Sequence, residues 1–283
     1  MCKRFYFIKL DIGVICLITF FVSLSFIAAW FDKVERDLYG VKPGVTLNNE
    51  HCARLMPAEV RPIVEDMAIR YQKLPLEPGL DKETGRIFSE QPGFVIDVDE
   101  TIKQVMAAGE NSQVKPVIIK VNPRFRSSDL EKASKILGEY ATWFHGSGAR
   151  YNNIGLAVKG LNNTVIWPEE IFSFNEAVGP RTPEQGYLPA PVIIGGGNNL
   201  DYGGGVCQVS STLYNAALNA GLQVRERHLH TKPIGYVPKG RDAAVAYNYL
   251  DLKLKNHNKD PVIIKTGLGN GRIWAQIWGD KSE

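Results

Sequence analysis

The sequence predicts an α+β protein in three parts: an N-terminal apolar helix, a small α+β module, and a larger β-rich domain holding one prominent helix. Three observations carry this. Residues 12–31, IGVICLITFFVSLSFIAAWF, run without a charge for a length that spans a bilayer as a helix. Between residues 59 and 136, stretches of helical spacing interleave with stretches that alternate apolar and polar as strands do. From residue 137 onward glycines and aromatics become frequent, and a helical run follows the Gly-Gly-Gly-Val-Cys loop at 203–207. Composition narrows the function classes. With 44% hydrophobic and 22% charged residues the chain is neither disordered nor uniformly membrane-embedded. A net charge of +3 over 283 residues points away from nucleic acid. Four cysteines exclude a disulfide-dense scaffold, and no C-x-x-C or H-E-x-x-H run signals zinc. The triple glycine lacks the Lys-Ser/Thr of a phosphate loop.

The elements follow in order. Lys3, Arg4 and Lys9 precede the apolar run with one acid, Asp11, whereas Asp32, Glu35 and Asp37 outnumber Lys33 and Arg36 after it. The positive-inside rule makes residues 1–11 a cytoplasmic tail and residues 12–31 a single-pass anchor in the cell membrane. The bulk of the chain is then extracytoplasmic. A cleaved signal peptide is the alternative, but the residues around Ala28-Ala29 lack a clean small-x-small site. Cys16 lacks lipoprotein-type flanks and reads as a membrane-buried hydrophobe. Cys52 and Cys207 lie outside; their spacing permits a disulfide, but their settings differ sharply.

Residues 32–58 read as a linker. A helix is expected at 61–73, a strand at 94–98, a helix at 100–108 capped by Asp99, and a strand at 117–121. Farther on, 262–264 and 273–278 flank Asn270-Gly271, a hairpin signal.

The chemistry concentrates in DYGGGVCQVSSTLYNAALNAGL, residues 201–222. Val209, Leu213, Ala216, Ala217 and Ala220 fall at helical spacing, with Gly221 as the stop. Cys207 thus sits at a helix N-terminus, where free N–H groups and the macrodipole favour a thiolate. The same groups, with those of Gly203, Gly204 and Gly205, could hold an oxyanion. Ser210, Ser211 and Thr212 are expected to back-bond within the first turn. On a strand expected at 224–229, His228 and His230 share a face, with Arg225 and Arg227 opposite. Asp242, before a strand expected at 243–247, could fix an imidazole tautomer. The residues alone leave three readings open: a nucleophilic Cys207–His230–Asp242 set, a zinc site on Cys207, His228 and His230, or histidines that only satisfy buried hydrogen bonds. Trp143, Phe172, Phe174 and Tyr187 suit either a binding groove or the core.

A resemblance then weighs on these readings. IFSFNEAVGPRTPEQGY (171–187), GGGVCQVSSTLYNAAL (203–218), ERHLHTKPIGYVPKGRDAAVAY (226–247) and LDLKLKN (250–256) resemble successive blocks of the VanW family, over residues 140–266. Arg150-Tyr151-Asn152-Asn153-Ile154 departs slightly from the family's pattern. The stretch PLEPGLDKETGRIFSEQPGFVIDVDETIKQVMAAG with PVIIKVNP is similar to a peptidoglycan-binding-like module that precedes VanW domains. The resemblance implies a module at 59–136 and a VanW domain at 137–283. It also implies action on peptidoglycan stem peptides, as a cysteine L,D-transpeptidase or as a non-catalytic binder tied to glycopeptide resistance. It makes Cys207 the nucleophile, His230 the base with His228 second, and Asp242 the acidic partner. Gly203, Gly204, Gly205 and Gln208 form the oxyanion loop, and Arg227 and Tyr236 contact substrate. Neither metal nor cofactor is expected, and the oligomeric state is left open.

Overall fold

The computed structural model describes residues 12–144, 148–194 and 197–280. The expected cytoplasmic tail and the Cys16 side chain lie outside the described residues. The protein is α+β, with seven α-helices among those residues and several small sheets. It divides into two compact units. One takes residues up to Pro75 together with Pro92–Asn122; the other takes Leu76–Gln91 together with everything from Pro123 onward.

In the first unit, helix α1 (Ile12–Tyr39) exposes its large apolar residues, Phe20, Phe26 and Trp30 among them. Among the described residues it is the one helix long and apolar enough to cross a membrane. It runs eight residues past the sequence estimate. Arg36 explains this: its guanidinium grips Asp32 one turn back at 2.9 Å and Glu59 at 2.6 Å. The expected linker is therefore structured. Val41, Val45, Leu47 and Cys52 are buried with Val60, Val64 and Met67 of α2 (Pro57–Tyr71), and burial pushes the Cys52 thiol pKa up. Helix α2 starts earlier than expected because Pro57 suits a first helical position and the Glu59 carboxylate accepts the Met56 N–H at 2.8 Å. Helix α3 (Val98–Ala107) is capped by Asp97, which accepts the Glu100 N–H at 3.0 Å. Asp99, the expected cap, instead pairs with Arg61 at 2.6 Å. Strands Gly93–Ile96 and Ile118–Val121 pair antiparallel beside these helices.

The second unit begins with residues inside the module drawn at 59–136. The hairpin of Gly79–Leu80 and Ile87–Phe88 attaches to the C-terminal domain through its backbone: the Asn163 amide donates to the Asp81 and Lys82 carbonyls at 3.1 and 3.2 Å. The Glu77 carboxylate accepts the N–H groups of Arg124 and Phe125 in turn.

A four-stranded antiparallel sheet orders Lys135–Trp143, Arg272–Gly279, Val262–Gly269 and Thr164–Ile166. Asn270 and Gly271 both take positive φ, +53° and +68°, as a two-residue hairpin turn requires. Helix α4 (Ser127–Glu131) precedes the sheet, and α5 (Ala149–Leu161) and α7 (Val206–Asn219) pack on it. Between them, α6 (Phe174–Val178) follows strand Ile171–Ser173 of a second sheet, completed by Lys253–Lys255 and Gln223–Glu226. Ile154, Leu161, Leu213, Leu254, Ile264 and Ile277 meet in the core with no exposure above 1%. The strand expected at 224–229 ends at Glu226 after a bulge, and the one expected at 243–247 is reduced to isolated bridges, His228 with Ala244 and Ala246 with Leu250.

Candidate active site

The glycines set the position of Cys207. Gly205 has φ +106°, and a Cβ there would lie 2.7 Å from Ile154. A Cβ on Gly204 would lie 2.5 Å from that of Ala190. Gly203 has open space around it. The Val206 and Gln208 N–H groups turn back onto the Gly203 and Gly205 carbonyls, both at 3.1 Å, and Cys207 sits between them as the second residue of α7. Its thiol is partly exposed and donates to the Val245 carbonyl at 3.4 Å. Cys52 and Cys207 are both free, so the disulfide alternative does not hold. The hydroxyls after Cys207 back-bond as expected: Ser211 donates to the Cys207 carbonyl at 2.7 Å and Thr212 to the Gln208 carbonyl at 2.7 Å. Ser210 also reaches the Ala243 carbonyl at 2.6 Å, and the Ala243 N–H donates to Ser211 at 2.9 Å. These bonds fasten the segment after Asp242 to the head of the Cys207 helix.

That fastening aligns His230. The Asp242 carboxylate is 6% exposed, and one of its oxygens accepts both the His230 backbone N–H and its Nδ1–H, each at 2.7 Å. Burial opposes ionisation of Asp242, but these two hydrogen bonds outweigh it and hold its pKa below the ordinary value. With Nδ1 protonated, Nε2 is the free nitrogen of the neutral ring. Burial works against the imidazolium, yet Cys207 and Asp242 beside the ring outweigh it and raise the His230 pKa above its ordinary value. The Tyr236 hydroxyl stands 3.5 Å from Nε2. Burial first, then the charge of Cys207, pushes the Tyr236 pKa up, so the phenol stays a neutral donor.

The remaining candidates separate. His228 does not share a face with His230, because the strand ends before it. Its Nε2 pairs with Glu226 at 3.0 Å, outside the cleft, and its side chain is 37% exposed. Arg227, expected at the substrate, also lies off the cleft: it donates to the Asp242 and Gly240 carbonyls, both at 2.7 Å, and so braces the Asp242 turn. Gln208, placed in the oxyanion loop, has its side chain occupied. It donates to the Trp143 carbonyl at 3.0 Å and accepts from Arg150 at 2.9 Å. Phe172, Phe174 and Tyr187 are core residues, whereas Trp143 is 66% exposed. Among the described residues no group of three or more His, Cys, Asp or Glu could hold a metal.

A cleft of about 640 Å³ opens at Cys207, His230 and Tyr236, with Gly203 and Gly205 on its wall. Arg150 and Arg181 also line it, and the sequence reading had singled out neither as a site residue. Half-buried arginines carry no pattern in a single sequence; the signal within reach was that Arg150 lies in the one block departing from the family pattern.

The C-terminal unit is thus an α+β domain with Cys, His and Asp gathered at the head of a helix beside a cleft. Residues 149–278 match the family described as VanW like protein. The chain is 43% identical over 143 residues to the uncharacterized protein YoaR of Bacillus subtilis (strain 168), covering 50% of this chain and 47% of that one. It is 31% identical over 134 residues to the vancomycin B-type resistance protein VanW of Enterococcus faecalis (strain ATCC 700802 / V583), covering 46% and 49%. The chain therefore spans about half the length of these relatives. No solved structure matches it.

Proposed function

We propose that the chain is a single-pass, membrane-anchored cell-wall protein whose VanW-like domain, outside the membrane, acts as a cysteine L,D-transpeptidase on peptidoglycan stem peptides. One observation carries the reading: Asp242 holds His230 Nδ1 at 2.7 Å, and His230 lines the same cleft as Cys207. This is the nucleophile, base and orienting acid of acyl transfer. His230 Nε2 takes the thiol proton as Cys207 attacks the carbonyl of the third stem residue. The oxyanion forms against the Cys207 amide and the Gly203–Gly205 loop. His230 returns the proton to the departing nitrogen, D-alanine leaves, and a thioester remains. A neighbouring stem's amine, deprotonated through His230, attacks the thioester to form the cross-link and restore the thiol. Ser211 is no competing nucleophile, since its hydroxyl already donates to Cys207 and accepts from Ala243.

The test is product analysis of the full chain, in detergent, with disaccharide-tetrapeptide. The expected product is a dimer lighter than two monomers by one D-alanine, absent with Cys207→Ala. A folded wild-type chain that binds the muropeptide but yields neither dimer nor shortened stem would leave only the accessory-binder reading, to which the name of the Enterococcus relative lends support.

A further inference from the structure

The cleft holds two cations that the acyl-transfer chemistry does not use. Arg150 and Arg181 both line it, and neither has a carboxylate within ion-pair distance among the described residues. The Arg150 guanidinium is engaged by the neutral Gln208 oxygen at 2.9 Å. Arg181 is less satisfied. Its Nη1 donates to the Gly179 carbonyl at 2.9 Å, but its Nη2 is sealed from solvent with no hydrogen-bond partner. The guanidinium lies 5.5 Å from the Phe174 ring centre and 5.8 Å from that of Tyr247. Asp251, the acid whose charge it feels, is committed elsewhere, to the Ser173 hydroxyl and to the Asn175 and Leu252 N–H groups.

A buried cation without a counter-ion is costly, and an unpaired buried donor adds to that cost. A carboxylate entering the cleft removes both penalties, because Nε and Nη2 present a two-donor fork. Tyr247, 39% exposed, lines the same cleft beside this guanidinium. Burial depresses the Arg181 pKa, against smaller upward pulls from Tyr187 and then Cys207.

We propose that Arg181 is a specificity-determining residue that binds the free α-carboxylate of the leaving C-terminal residue, so that the cleft accepts only bonds one residue from a peptide's C-terminus. The inference rests on the acyl-transfer reading of Cys207. An internal peptide bond would offer Arg181 a neutral amide and leave the cation unpaired. The scissile carbonyl and the terminal carboxylate belong to adjacent residues, so one anchor also fixes which carbonyl the sulfur reaches.

The test follows thioester formation on the full chain with two donors: disaccharide-tetrapeptide as the free acid, and the same compound with a C-terminal carboxamide. Wild type should acylate from the acid about tenfold to a hundredfold faster, mainly through KM, as expected for a charge-assisted fork. Arg181→Gln should abolish the acid's advantage over the amide, and Arg181→Lys should restore part of it. Equal rates for acid and amide in wild type would overturn the carboxylate anchor while leaving acyl transfer standing, and this comparison needs no variant to fold. A preference that survives in folded Arg181→Gln would overturn the assignment to Arg181. Absence of a Cys207 thioester with either donor would instead remove the acyl-transfer reading itself.

Discussion

Replacing His230 with alanine should lower the rate of Cys207 acylation by about two to four orders of magnitude, the range for losing a positioned base. That corresponds to about 3–5 kcal/mol of transition-state stabilisation. The structure gives the full range to this residue because Asp242 holds its Nδ1 at 2.7 Å and the ring lines the same cleft as Cys207. His228→Ala is the matched control, two residues away in the same segment. It removes only a 3.0 Å pair with Glu226 at a site 37% exposed, so it should change the rate by no more than a few-fold. The assay is single-turnover acylation of each purified variant with one muropeptide, with folding checked by circular dichroism. A folded His230→Ala variant near the wild-type rate, with His228→Ala inactive, would refute the assignment.

Three further outcomes are expected. Acylation requires neutral His230, whose pKa Cys207 and Asp242 raise above the ordinary imidazole value, so the rate should fall on acidification with a midpoint shifted upward by them. Asp242→Asn removes a carboxylate that raises this pKa, so the midpoint should move to lower pH as the plateau drops; an unchanged or higher midpoint in a pH–rate profile would contradict the coupling. Gly205→Ala forces a side chain into φ +106° and against Ile154, and should cost about 2 kcal/mol, lowering the midpoint of thermal unfolding by roughly 4–8 °C. Gly203→Ala, which meets no heavy atom within 4 Å, should leave it unchanged. The full chain should stay in the membrane fraction after carbonate washing, with its bulk cleaved by protease added outside; a soluble form beginning near Trp30 would contradict the anchor.

Where a physical rule acts locally, the sequence was a good guide. Val209, Leu213, Ala216 and Ala217 are all buried on the helix after Cys207, because apolar residues at that spacing share one face. Asn270-Gly271 forms its hairpin because both residues accept positive φ. The illegible parts depend on bonds that side-chain pattern does not report. Residues 76–91 join the C-terminal unit through the Asp81 and Lys82 carbonyls, which any residue would carry. Val41, Val45, Leu47 and Cys52 enter a core although they lie scattered among polar residues, too sparsely for a periodicity. The facing of His228 and His230 was argued from a strand that ends at Glu226, and the alternation fails with it. Gln208, read as part of the oxyanion loop, and Arg227, read as a substrate contact, both have side chains spent holding neighbours in place. Arg181 was not legible because only the three-dimensional structure reveals that no carboxylate among the described residues pairs with it.

The central claim is that the Cys207 sulfur becomes covalently acylated. Its most direct test is peptide mapping by mass spectrometry after brief incubation of the full chain with disaccharide-tetrapeptide and no acceptor amine. The peptide containing Cys207 should gain the mass of the muropeptide less that of D-alanine, in a form removable by hydroxylamine. An unmodified Cys207 in a folded chain that binds the muropeptide, or an adduct on Ser211 or Cys52 instead, would contradict it.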